Sequence, residues 1–407
     1  MTRAHRPVRR RKVFYIPGYD PFHPRRYREL YRREGAAQAR LSGYDLTVSR
    51  GTHAQGWHVA ARVEGRPVEA EFEVLVWSDI VQGSMDRSVP STYVAMARTA
   101  WIYLSTGTLR RLARLRKGPV VAALYPVAML TLQLCLAAAL ALAVFRAATW
   151  ASGGGLVPAA VASFLAFLAG GGLLRLFRHW DRHLYAHYLM LDYAFAARGR
   201  GRTPRALRDR IDAFAARVAA AADEDWDEVL VVGHSSGAQI GVELLARCLR
   251  DGLPPGRVAF LTLGQVIPMV SFLPDAHALR ADLATLATQD AVPWIDVTAP
   301  GDGCAFALCD PVAVSGVAPH DQRWPRILSA AFTRTLTPGT RARLRGRWFR
   351  LHFQYLCAFD ALGDAPDAYD YFRVTAGPLT LADRFAGRSH SPQRLARPVS
   401  GHTGTAA

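Results

Sequence analysis

Ser235 lies in the pentapeptide Gly233-His234-Ser235-Ser236-Gly237, with aspartates at 296, 302 and 310 and histidines at 277, 320, 352, 390 and 402 further along the chain. A serine hydroxyl is a weak nucleophile until a base takes its proton. Histidine has the matching pKa, and a carboxylate must hold its tautomer and stabilise the imidazolium. The chain therefore carries the parts for acyl chemistry at a serine, provided the fold brings them together.

The elements around Ser235 suit that use. Val229, Leu230, Val231 and Val232 form an unbroken apolar run, as in a central parallel strand covered on both faces. After the pentapeptide, Ile240, Leu244, Leu245 and Cys248 recur at helical spacing, and Gly252 comes next as a stop signal. A strand-to-helix turn this tight strains the serine backbone. Glycine at 233 and 237 removes the Cβ atoms that would clash. Ser235 Oγ would project above the sheet, and the N–H of Ser236 can point at a developing oxyanion.

Strand, G-x-S-x-G and helix in this order resemble the nucleophile elbow of the α/β-hydrolase superfamily, in particular its lipase- and esterase-like members. The resemblance implies a mostly parallel sheet with flanking helices and the order nucleophile, acid, histidine. It implies Asp302 as the acid, because Asp302 sits in the Pro300-Gly301-Asp302-Gly303 turn just past a strand at 294–298. Asp296, inside that strand, stays open as the alternative, with Asp310 third. It implies His352 as the base, directly after a final strand expected at 347–351. His320 has no strand before it, His277 precedes the acid, and His390 and His402 lie in the tail. His234 would line or support the site. The second oxyanion donor would be the N–H of Tyr19, with Gly18 beside it, after an early strand at 13–16. No metal or organic cofactor is expected.

The net charge is +17, and Lys12 and Lys117 are the only lysines among 50 basic residues. The arginines are scattered, with no nucleic-acid-binding signature, so a basic face toward anionic lipid is expected in place of a nucleic-acid partner. The cysteines at 135, 248, 304, 309 and 357 form no metal spacing and are expected as reduced thiols.

Residues 119–145 carry no charge, Arg146 interrupts, and 147–174 are again uncharged. As a helix the first stretch extends about 40 Å, against a hydrocarbon core of about 30 Å. Spans at 119–145 and 156–174, joined through the glycine triplet 153–155, predict a transmembrane hairpin. Its flanks, LRRLARLRK and RLFRHWDR, are basic, which places both on the cytoplasmic side. The expected plan is a basic disordered start at 1–11, a first hydrolase segment at 12–108, the hairpin with its flanks at 109–182, a second hydrolase segment at 183–385 and a disordered tail at 386–407. The whole points to a multi-pass protein of a bacterial inner membrane with a cytoplasmic catalytic domain. Its expected substrate is a hydrophobic or lipid-like ester. Acyl transfer on the same fold, or a hydrolase-like scaffold without catalysis, are the alternatives.

Overall fold

The computed structural model describes residues 7–85, 88–363 and 368–406. Eight strands form one sheet: β1 (Arg10–Ile16), β2 (Asp45–Arg50), β3 (Gly56–Val63), β4 (Arg66–Val74), β5 (Glu228–His234), β6 (Val258–Leu263), β7 (Trp294–Thr298) and β8 (Arg326–Ser329). Their spatial order is β2-β3-β4-β1-β5-β6-β7-β8. The β2-β3-β4 meander is antiparallel, and every pairing from β4 through β1 to β8 is parallel. This is an α/β fold with a mixed, mostly parallel sheet.

Ten helices build the hairpin, its surroundings and the cover of the central strands: α1 (Arg25–Ser42), α2 (Ser78–Met85), α3 (Val89–Ser105), α4 (Thr108–Leu115), α5 (Lys117–Ala151), α6 (Leu156–His179), α7 (Asp181–Leu184), α8 (Ala186–Ala197), α9 (Arg205–Asp223) and α10 (Ser236–Arg250). The apolar run of β5 is covered on both sides. Val229 and Val231 pack with Val218 of α9 and Leu244 of α10, whereas Leu230 and Val232 pack in the opposite core with Tyr31 of α1 and Phe372. Alternate side chains of a strand point to opposite faces, so a continuous apolar run is what a doubly covered strand requires. Each large aliphatic side chain buried this way contributes about 1.5–3 kcal/mol.

The α5–α6 hairpin leaves the sheet after β4 and returns before β5. Both helices are long and apolar enough to cross a membrane, and only 17% of the most apolar window of each is buried. Core helices of such composition would be mostly covered. The turn between them uses Gly153, Gly154 and Gly155 at φ 70°, 85° and 112°, a run of left-handed backbone that only glycine adopts cheaply. The basic flank before the hairpin forms α4, which buries Leu112 and Leu115.

Two expectations change. The segment 347–351 is not a strand: Trp348–His352 is a single helical turn, and the last strand among the described residues is β8. The tail from 386 is laid against the domain as far as Gly404. Leu395 donates to the Leu308 carbonyl and accepts from Asp310 N–H, Val399 donates to Val314, and the Arg280 guanidinium donates to the Gly404 carbonyl. At the other end, residues 1–6 lie outside the described residues, and the chain is already in β1 at Arg10.

Candidate active site

β5 delivers Ser235 to the sheet's carboxyl edge and α10 starts at once behind it. Ser235 has φ 56° and ψ −122°, outside the ordinary regions for a residue with a side chain. The packing enforces it. A Cβ at Gly237 would lie 2.2 Å from the Ile16 carbonyl oxygen, and one at Gly233 would lie 2.7 Å from the Gly237 oxygen. Ser235 N–H is held by the Leu263 carbonyl at 2.9 Å. Across from it, a Cβ on Gly18 would lie 3.0 Å from Ser235 Cβ, so the chain leaving β1 passes directly over the serine.

Asp302 lies in the turn after β7 and is buried. Its Oδ2 accepts from His352 Nδ1 at 2.7 Å and from the Tyr355 hydroxyl at 3.0 Å, and its Oδ1 accepts from Cys304 N–H at 2.9 Å. Burial alone would raise this carboxyl, but His352 and these donors hold it below the usual aspartate range. Because Nδ1 of His352 is engaged by Asp302, its Nε2 is the nitrogen left for chemistry. A helical turn, and not a strand end, brings His352 to Asp302.

The other acids are placed differently. Asp296 points into the sheet, accepts from Thr262 Oγ1 at 2.6 Å, has its second oxygen unpartnered, and is pushed up to about 8 by burial. Asp310 caps the helix Pro311–Val314 and pairs with Arg394. Among the histidines, His320 is exposed, His277 contacts Gly404, and His390 accepts from Ile327 N–H in the docked tail. His402 sits in the same tail.

A cavity of about 400 Å³ is lined by Gly18, Tyr19, Asp192, His234, Ser235 and His352, with Tyr188 and Phe353 beside them. Serine and histidine therefore open onto one space. Tyr19 packs among Trp77, Tyr188 and Phe195, and the Tyr188 hydroxyl donates to its carbonyl. Ser236 is the first residue of α10, whose amino end faces this side. His234 is buried, its ring centroid 4.9 Å from that of His352, and burial pushes it down to about 3.

Asp192, on α8, was not among the sequence candidates. It is the only acid in the stretch 184–197, which is otherwise apolar apart from His187. Burial raises it to about 7, and the neighbouring His352 acts in the opposite direction. A lone acid in an apolar helix was the available signal. Asp302, Cys304 and His352 also bring potential metal-ligand atoms within 4.8 Å of one another. Asp302 and His352 Nδ1 are engaged with each other there, and burial raises the Cys304 thiol.

No protein-family model matches the chain, and neither does any curated protein or solved structure.

Proposed function

We propose that this chain is a membrane-anchored serine hydrolase with an α/β-hydrolase-like fold, acting on carboxylic esters. One observation carries the reading. A serine on a strained strand-to-helix turn shares a cavity with a histidine whose Nδ1 is held by a buried carboxylate. That combination serves a nucleophile and its base, and strain of this kind persists only where packing over-determines it.

In the mechanism, Ser235 Oγ attacks the ester carbonyl while His352 Nε2 takes its proton. Asp302 stabilises the resulting imidazolium without itself being protonated. The backbone N–H groups of Ser236 and Tyr19 are the assigned oxyanion donors, with the amino end of α10 adding its dipole. Collapse expels the alcohol, protonated by His352, and leaves an acyl-enzyme that water cleaves by the reverse sequence. In this proposal the hairpin is the anchor, and its basic flanks favour a catalytic domain on the cytoplasmic side.

Labelling with a fluorophosphonate tests this. The wild-type protein should be labelled and Ser235→Ala should not. Ester turnover should fall about 10³-fold or more in that variant with the fold retained. Absence of labelling in the folded wild type would leave a scaffold without catalysis, and undiminished labelling of Ser235→Ala would move the nucleophile elsewhere.

A further inference from the structure

We infer that a second cavity, between the base of the hairpin and the His352 segment, is the acyl-chain site of this hydrolase, filled sideways from the bilayer by a membrane lipid ester. The inference rests on the ester-hydrolase reading and names its substrate class and route of entry.

The cavity measures about 640 Å³ and is walled by Val121, Ala122 and Tyr125 of α5, Leu189 and Tyr193 of α8, and Trp348. That volume falls within the range of sites that enclose a small organic ligand. Its lining is mainly apolar. The one hydroxyl contributed by α5, that of Tyr125, is spent on the Leu184 carbonyl at 2.6 Å, so Tyr125 offers its ring to the space.

Two adjacencies identify the occupant. On one side the cavity shares Tyr185 and Phe349 with the cavity that holds Ser235 and His352, the two ring centroids lying 5.1 Å apart. These rings form the partition between the spaces. Cys304, two residues from Asp302, also lines this cavity. On the other side the lining continues onto the exterior of α5. Val121 is 53% exposed, and further along the same helix Leu132, Leu136 and Leu142 are exposed as well. An apolar chain can thus stay on hydrocarbon-like surface from the outside of the hairpin to the partition, with its ester group reaching the serine beyond. Each methylene buried in such a space raises kcat/KM by roughly fourfold until the cavity is full.

The test uses the full chain in lipid vesicles and a long-chain alkyl fluorophosphonate with a photoreactive diazirine at the far end of the chain. After the phosphonate reacts, photolysis should cross-link the chain end to Val121–Tyr125 or Leu189–Tyr193. Ala122→Trp and Leu189→Trp should each lower the ratio of long-chain to short-chain ester kcat/KM at least tenfold. Cross-links to other surfaces of a labelled protein would overturn the cavity assignment while leaving the hydrolase standing. An unchanged chain-length ratio in both folded variants would do the same. No reaction with the phosphonate at all would sink the hydrolase reading and the acyl site with it.

Discussion

His234 Nε2 lies 3.0 Å from the backbone carbonyl of His352. A carbonyl only accepts, so the ring donates from Nε2, and the residue beside the proposed nucleophile holds the turn that carries the proposed base. His234→Ala should therefore disturb the placement of His352 and lower kcat more than it changes KM. The acid stability should also change. With its folded value pushed down to about 3, against about 6.5 unfolded, His234 costs stability as pH falls through that window. The slope is on the order of 1 kcal/mol per pH unit. Thermal unfolding from pH 7 to pH 4 should be less pH-dependent in His234→Ala than in wild type. Parallel curves would show that the ring takes up its proton as freely folded as unfolded.

Asp302 and Asp296 invite opposite outcomes. Asp302→Asn breaks the contact to His352 Nδ1 and should approach the loss seen in Ser235→Ala. Combining Asp302→Asn with His352→Ala should cost little more than either alone, because groups that act as a unit are strongly non-additive. Near-wild-type turnover in Asp302→Asn would transfer the role of acid to another residue.

Asp296→Asn should spare turnover and alter stability. Burial pushes this carboxyl up to about 8, so the folded protein keeps a proton there that the unfolded chain releases near pH 4. Wild-type stability falls across that interval by about 1.4 kcal/mol per pH unit at most. Chemical denaturation of both proteins from pH 4 to pH 8 should show the variant gaining steadily on wild type. A constant difference would mean that Asp296 ionises normally in the folded state.

Asp192 should shape the pH–rate profile. It lines the Ser235 cavity, and burial raises it to about 7, so it ionises near neutrality beside His352. A carboxylate there favours the imidazolium. Asp192→Asn should move the acidic midpoint of kcat/KM to lower pH. A midpoint that stays put would show that Asp192 and His352 do not sense each other.

The hairpin reading predicts opposite sides for its tip and the tail. In a cysteine-free background, Ala151→Cys should react with an impermeant thiol reagent added outside intact cells. Arg397→Cys, exposed in the docked tail, should react only after the cells are opened. Outside labelling of both would overturn the two-span arrangement.

The elbow was legible in the sequence because sterics leave so little freedom there: glycine at 233 and 237 is required by backbone atoms 2.7 Å and 2.2 Å from where a Cβ would stand. The core strands were legible from their apolar runs, and the hairpin from the lengths of its uncharged stretches. Asp302 was legible from its position after β7. His352 was selected on the expectation of a strand that is a helical turn, since RGRWFRL is too short for its periodicity to separate the two. Four-residue β8 escaped for the same reason. Asp192 stayed hidden because the residues with which it lines the cavity, Ser235 and His352, are far away in sequence. The docking of the tail was hidden too: its composition suggests disorder, while its order comes from backbone bonds to Leu308, Val314 and Asp310.

The place of the hairpin in the chain also sets a timetable for synthesis. β1 lies between β4 and β5, and 153 residues separate Val74 from Glu228. At about 5–20 residues per second, a ribosome needs on the order of ten seconds or more to cross that interval. Throughout it, β1 has one open edge, four of the eight strands do not yet exist, and both apolar helices have already emerged by its end. Both apolar helices are thus complete before the strands that finish the sheet are made. A chain whose hairpin is left uncovered therefore reaches β5 with two long apolar helices exposed and one edge of β1 still open.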